Sequence, residues 1–413
     1  MRLTLPQQRQ SLVWLLKSEW IRKGTYWDPQ PKIPKIYEEQ GVDIVDAVKE
    51  YTGRKRHDWT PPDPNDPRYN PTPEFRETLR DYHEKPERVF NIYTRLMEGA
   101  PQAQILTNTQ ILPGVPEGVT KLLGKVSVPN QDELCQRYIL QANRWDATKV
   151  KLPKRFNVHH QMWKFKSETG IPKRKICSTM VSNLTRLCLT AAAKNPGLKD
   201  TRKVFRDYFM SNEISCDDVK IRVQALLEAA VASKDPVPAF ADDSIVNESC
   251  GYQLPDMYPM DPTIQIVPTN VFIDFNSNGF REGKTVNMHT LVFNVTSWYS
   301  AGMRAAQAMV FLHSQALLQA KMRFGEGNSL PEPISVQAIQ TDGHNFHFTY
   351  YQLNTRETKS DVKNLVWFDM DNSLVKRIEP AHAMLRNTVY EDYDPKVLQK
   401  ILANFAYGSN IVF

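Results

Sequence analysis

Three groups of residues have types that could do chemistry. Gly279-Phe280-Arg281-Glu282-Gly283-Lys284-Thr285 carries the glycines, lysine and hydroxyl of a phosphate loop, but has three residues between the glycines where the cradle needs four. Such a cradle points successive backbone N–H groups inward and feeds straight into a helix. Here the chain runs on into a β-like stretch, so a glycine-bearing turn is expected. Gly325-Glu326-Gly327 lacks a third glycine, because Leu330 stands there, and it follows a helix rather than a strand. His344 and His347 lie beside Asp342 and could be drawn as an acid–base or metal cluster. Their spacing opposes that: His344 falls in a turn, His347 points from one sheet face, and no further Cys, His or Glu nearby completes a ligand set. The adjacent His159 and His160 diverge in any regular element. Nucleophile-elbow and zinc-helix patterns are absent from the sequence. The expectation is therefore a protein that is not an enzyme, with no catalytic residue, metal, cofactor or small-molecule substrate.

Cationic residues make a stronger pattern. Between Arg144 and Lys175 stand Arg144, Lys149, Lys151, Lys154, Arg155, Lys164, Lys166, Lys173, Arg174 and Lys175 against Asp146 and Glu168, a net +8 that exceeds the +6 of the whole chain. Trp145, Phe156, Trp163 and Phe165 are interleaved with them, so groups that neutralise phosphates stand beside rings able to stack on unpaired bases. A smaller cluster is Arg54-Lys55-Arg56-His57 with Trp59. Both read as candidate RNA-binding sites, with a solvated basic face as the ordinary alternative. The five cysteines form no C-x-x-C pair, and an odd number argues against a disulfide framework and for a reducing compartment. Cys177 and Cys188 read as small buried hydrophobes on one helix face.

The elements that must position these groups follow from hydrophobic period. Residues 1–24 hold Arg2, Arg9, Lys17, Arg22 and Lys23 against Glu19, interleaved with apolar Leu12 to Leu16, which suits a mitochondrial targeting helix or an ordinary amphipathic one. Residues 25–90 form an extended arm: six prolines between Pro61 and Pro73 block helix and central strand alike, while Tyr26, Trp27, Trp59 and Tyr69 seek a surface to cover. Residues 91–235 read as mainly helical. Asn130 and Glu133 make a capping-box start; Cys177, Met180, Val181, Leu184, Leu187, Cys188 and Ala191 make a continuous apolar stripe; and Ser215 with Asp218 caps a third helix that buries Val219, Val223, Leu226, Leu227 and Ala230. Residues 236–268 are a proline-bearing linker.

From 269 to 413 the expected class is α+β, a mainly antiparallel sheet packed against helices. Strands are expected at Ile264 to Val267, Val271 to Phe275, Thr290 to Val295, Ile334 to Gln340, Phe346 to Leu353 and Leu365 to Phe368, with a hairpin at Asp342-Gly343. A long buried helix is expected from Met303 to Phe324, and a final one from Pro395, capped by Asp394, to Gly408. At 413 residues the chain has room for two or three folded units, and its 41% apolar and 24% charged composition excludes collagen-like, coiled-coil and disordered classes. No apolar run approaches the ~20 residues of a membrane-spanning helix.

Thr341-Asp342-Gly343-His344-Asn345-Phe346-His347-Phe348, then Gln352-Leu353-Asn354-Thr355 and Lys363-Asn364-Leu365-Val366-Trp367, resembles the mitochondrial ribosomal protein family that includes large-subunit protein thirty-seven and the programmed-cell-death-nine protein. The likeness covers most of residues 300–370. Arg95-Leu96-Met97-Glu98-Gly99, Leu106-Thr107-Asn108-Thr109 and Gly114-Val115-Pro116 are more similar to the first branch. The resemblance implies a non-catalytic component of the mitochondrial large ribosomal subunit, in the matrix. It also implies contact with large-subunit rRNA and with neighbouring proteins, including the paralogous family member as a heterodimer partner. An RNA-modifying or RNA-processing enzyme of the same organelle is the alternative. The Gln352 to Thr355 motif is expected to end a core strand and shape the turn after it.

Overall fold

The computed structural model describes residues 35–41, 87–144, 171–195, 197–199, 201–216, 219–269, 287–295, 299–327, 330–379 and 389–409. It divides into two units, residues 1–76 and 77–413. The described stretch of the first holds a short helix, α1 (Lys35–Glu39), with Ile36 and Tyr37 exposed. In the second, the elements run β1 (Glu87–Phe90), α2 (Ala100–Thr107), β2 (Thr109–Leu112), α3 (Glu117–Thr120), α4 (Gln131–Ala142), α5 (Lys173–Lys194), β3 (Arg202–Cys216), β4 (Val219–Ser233), α6 (Asp243–Glu248), a 3-10 turn at Ser249–Gly251, β5 (Pro268–Thr269), β6 (Asn287–Asn294), α7 (Ala301–Phe324), β7 (Ile334–Thr341), β8 (Asn345–Leu353), β9 (Asn364–Ser373), β10 (Val375–Glu379), β11 (Val389–Tyr393) and α8 (Pro395–Ala406).

Among the described residues, nine strands form one mixed, mainly antiparallel sheet in the order β2-β9-β8-β7-β6-β4-β1-β5, with β3 paired along β4. The α+β expectation holds. The neighbours β6 and β7 are parallel, and a parallel pair cannot be joined by a tight turn. The crossover is α7, whose residues are buried on every side from Ala305 to Ala320. Its Phe311 meets Phe293 of β6 and Phe90 of β1 edge to face, with ring centroids 5.3 and 5.6 Å apart.

Successive residues of the strands feed opposite cores, as a period of two requires. On one face, Phe346, Phe348, Tyr350, Leu365 and Trp367 pack with α4, α5 and α8. On the other, Val336, Ala338, Tyr351, Leu353 and Val366 pack with α2 and α7. The β3–β4 hairpin changes phase at Asp207, which has a left-handed φ of +49°. Beyond it Tyr208 and Met210 enter the α7 side, whereas Val204 before it packs on the α5 side.

Three expected elements differ. Residues 219–230 form strand β4, paired with β3 from Cys216↔Val219 to Arg202↔Ser233, and not a helix. The apolar positions fit both periods. Tertiary pairing decides between them, and Leu226, expected in a helix core, is 50% exposed. Ile264 to Val267 forms no strand: the chain closes Asp261–Ile264 and Thr263–Ile266 turns, with Ile264 and Val267 exposed, and pairing with β1 begins only at the Val267 carbonyl, which accepts from Val89 N–H just ahead of β5. Asn130 begins α4 in a left-handed conformation without a side-chain cap; Gln131 Oε1 accepts from Val128 N–H instead. The stripe on α5, the long α7 and the Asp394-capped α8 are found as expected. The expected strand Val271 to Phe275 lies outside the described residues.

Candidate nucleic-acid and protein interface

Helix α5 begins at Lys173 with Pro172 before it, so its first turn carries Lys173, Arg174 and Lys175 in succession, all exposed. Cations at a helix N-terminus oppose the helix dipole, at about 0.3–1 kcal/mol each when exposed. Arg174 is partly relieved by Glu228, 3.5 Å away, but with 70% of its side chain in solvent that pair contributes little. With no side-chain cap at Pro172, whose carbonyl accepts from the Lys175 and Ile176 N–H groups, the triplet makes a cationic surface that favours anions.

The helix end is held rigidly. Cys177 Sγ donates to the Thr341 carbonyl at 3.3 Å. The β7–β8 turn presses against the same residue: a Cβ on Gly343 would lie 3.2 Å from Cys177 Cα. The turn is built by Asp342, whose Oδ1 accepts from the His344 and Asn345 N–H groups at 2.9 and 2.7 Å, while Gly343 takes φ +89°. The T-D-G hairpin is thus the seat of the point where the basic segment enters the fold. Of the candidate RNA-binding residues, the structure brings Lys173, Arg174 and Lys175 together. Arg54, Lys55, Arg56, Lys149, Lys151, Lys154, Arg155, Lys164 and Lys166 lie outside the described residues, as do Gly279 to Thr285 and the pair His159 and His160.

The side chains that looked chemical serve the architecture. His347 is buried and its Nδ1 accepts from Asp371 N–H at 2.8 Å. Asp342 is occupied by the turn, and Gly325 ends α7 with φ +78°. Burial keeps Cys135, Cys177 and Cys188 as thiols, raising Cys135 to about 11 and Cys188 to about 12. Among the described residues no group of three His, Cys, Asp or Glu could hold a metal ion.

The Gln352 to Thr355 and Lys363 to Trp367 motifs form one buried network. Gln352 Oε1 accepts from Phe240 and Ala241 N–H at 2.8 and 2.9 Å, and its Nε2 donates to Asn354 Oδ1. Asn364 Oδ1 accepts from the Asn354 and Thr355 N–H groups, and Asn364 Nδ2 donates to the Thr107 carbonyl. The motif ends strand β8 and shapes its exit, and it also ties that exit to the Leu106 to Thr109 segment.

Two polar convergences had no signal in the sequence, because their members come from distant segments. Arg202 donates to Ser233 Oγ, to the Phe405 carbonyl and to the Tyr407 carbonyl, fastening the end of α8 to the sheet. Beside it His289 is fully buried, with Nε2 2.9 Å from the same Tyr407 carbonyl, and burial plus the Arg202 charge push its pKa down to about 3. Separately, His313, Lys321 and Arg356 line a groove against the end of β3.

A family model described as mitochondrial 28S ribosomal protein S30 (PDCD9) matches residues 300–407. The large ribosomal subunit protein mL37 of Mus musculus is 28% identical over 422 residues, covering 94% of this chain and 92% of that protein. Its Bos taurus counterpart is 28% identical over 417 residues, covering 95% and 92%, and that of Gallus gallus 27% identical over 332 residues, covering 76% and 72%. The two descriptions name different ribosomal subunits. The mL37 likeness runs nearly end to end, whereas the family model touches the C-terminal part, so the whole-length likeness carries more weight. The resemblance read from the hairpin motifs extends along nearly the whole chain.

Proposed function

We infer that this chain, similar along 94% of its length to the large ribosomal subunit protein mL37, is a structural component of the mitochondrial large ribosomal subunit. That whole-length likeness is the observation that carries the reading. It agrees with a body whose buried cysteines, His347 and motif amides are spent on packing and turns. The relatives' names lend nothing to the RNA-modifying alternative.

In this reading the body is a rigid block, and the segment from Arg144 to Lys175 fastens it to large-subunit rRNA. The exposed triplet Lys173-Arg174-Lys175 supports the attachment: a phosphate beside it relieves the charge that the helix dipole opposes. Arg54, Lys55 and Arg56, in the proline-rich arm, are a second attachment. Residues 1–24 act as the targeting segment, and the paralogous family member is the neighbouring protein partner.

Filter binding of the purified chain to large-subunit rRNA tests the attachment. Affinity should fall steeply between 50 and 200 mM salt, and replacing Lys173, Arg174 and Lys175 by Ala should lower the log–log slope by about 2. Binding that ignores salt, or a triple variant with an unchanged slope, contradicts this role for the triplet.

A further inference from the structure

Against the end of β3 lies a groove of about 480 Å³, bordered by Glu213, Ile214 and Ser215 of the strand, by His313, Leu317 and Lys321 of α7, and by the loop from Arg356 to Lys359. His313, Leu317 and Lys321 are spaced by four on one helix face, so the groove follows α7 for two turns, about 12 Å. That is the span of three to four extended residues.

Its polar groups are incompletely used. Lys321 Nζ reaches Asn212 Oδ1 and the Glu213 carbonyl at 3.4 Å each, and among the described residues makes no ion pair. Arg356 gives its guanidinium to main-chain oxygens, those of Ala320, Gly325 and Gly327, while its Nε is buried without a partner. His313, 2% exposed, spends Nδ1 on Tyr351 Oη at 2.8 Å, and Nε2 has no partner among the described residues. Two cations at one end thus have only neutral oxygens as direct partners, and the His313 imidazole lines the other.

The charge pattern selects the occupant. Glu213, Glu326 and Glu357 line the groove with Lys321, Arg356 and Lys359, so its charges balance: a polyphosphate meets three carboxylates as well as three cations, whereas a single negative charge on Lys321 and Arg356 needs only those two. Strand β3 borders one side, and Leu317 with Ile214 adds apolar surface to the lining. A polypeptide end has this chemistry: one carboxylate, regularly spaced amides and side chains between.

We propose that this groove captures the C-terminal tail of another protein as three or four extended residues, with the terminal carboxylate on Lys321 and Arg356 and an upstream carbonyl on His313 Nε2. Burial holds the Lys321 pKa below its ordinary value, and an arriving carboxylate restores the charged form. The site lies within the folded body and is independent of the RNA attachment, so it stands or falls separately.

The test uses the immobilised full-length chain and a pool of N-acetylated tetrapeptides, offered either as free acids or as C-terminal amides. The free-acid pool should be retained at least tenfold better, and Lys321→Met should abolish that preference while thermal melting shows the fold intact. Arg356→Gln should reduce it as well, and an unchanged preference in a folded Arg356→Gln variant removes the guanidinium from the site; should this variant unfold, Lys321→Met alone decides. Equal retention of acid and amide, or retention of neither, overturns the proposal. Displacement by millimolar phosphate or adenosine monophosphate without any acid preference overturns it in favour of a small-anion site.

Discussion

At the scale of single residues, the body depends on polar groups buried at long sequence separation. Arg202 satisfies acceptors on β4 and at the end of α8. Replacing it with Met fills the space but leaves those acceptors without a donor, so Arg202→Met should lose roughly 2–4 kcal/mol of stability and deprotect α8 amides in hydrogen exchange. An unchanged urea midpoint would refute this. His289 and His313 are both fully buried, and burial lowers each to about 3 from an ordinary 6.5. In the unfolded chain they take protons below pH 6.5 that the folded chain refuses. Their neutral forms therefore stabilise the fold fully above pH 6.5, and stability falls as pH drops from 6.5 toward 3, by about 1.4 kcal/mol per unit for each group. Urea midpoints measured between pH 7.5 and 5 should show that decline, and His313→Gln should make it shallower.

At the scale of elements, two glycines predict opposite outcomes. Gly99, ahead of α2, has φ +66°, and a Cβ there would sit 2.9 Å from the carbonyl carbon of Gly302 in α7. Gly99→Ala should cost about 1–3 kcal/mol through strain and separation of the two helices. At Gly302 a Cβ would meet Gly99 Cα at an ordinary 3.8 Å, so Gly302→Ala should be within about 1 kcal/mol of neutral. Equal effects in thermal melts would contradict this account of the crossing. The same locality explains what the sequence made legible. Caps and turns at Asp394, Gly408 and Asp342-Gly343 are local and were readable, as was the α5 stripe, whose period no strand can use. The β3–β4 hairpin was not, because Val219, Val223 and Leu227 satisfy a helical spacing as well as the alternation Ile221, Val223, Ala225, Leu227. Only pairing with β3, β6 and β1 settles it. The candidate site was legible as a charge run and not as a surface. Nothing local announces that Gly343 seats Cys177, or that Lys321 and Arg356 border one groove.

At the scale of the whole molecule, the attachments and the body are chemically distinct. The net +8 between Arg144 and Lys175 exceeds the chain's total of +6, so the remainder is slightly acidic and well suited to lie among other proteins. In the proposed reading the N-terminal arm, rich in proline and aromatic residues, gains most of its apolar contacts by ordering on a partner. Removing residues 1–86 should therefore leave the melting of the body nearly unchanged while weakening incorporation into particles. The most direct measurement of the central claim is sucrose-gradient sedimentation of organelle lysate, with magnesium present and after its chelation. The account predicts co-migration with the intact ribosome in the first gradient and with large-subunit rRNA after dissociation. A chain that stays at the top of both gradients, or follows the small subunit, contradicts it.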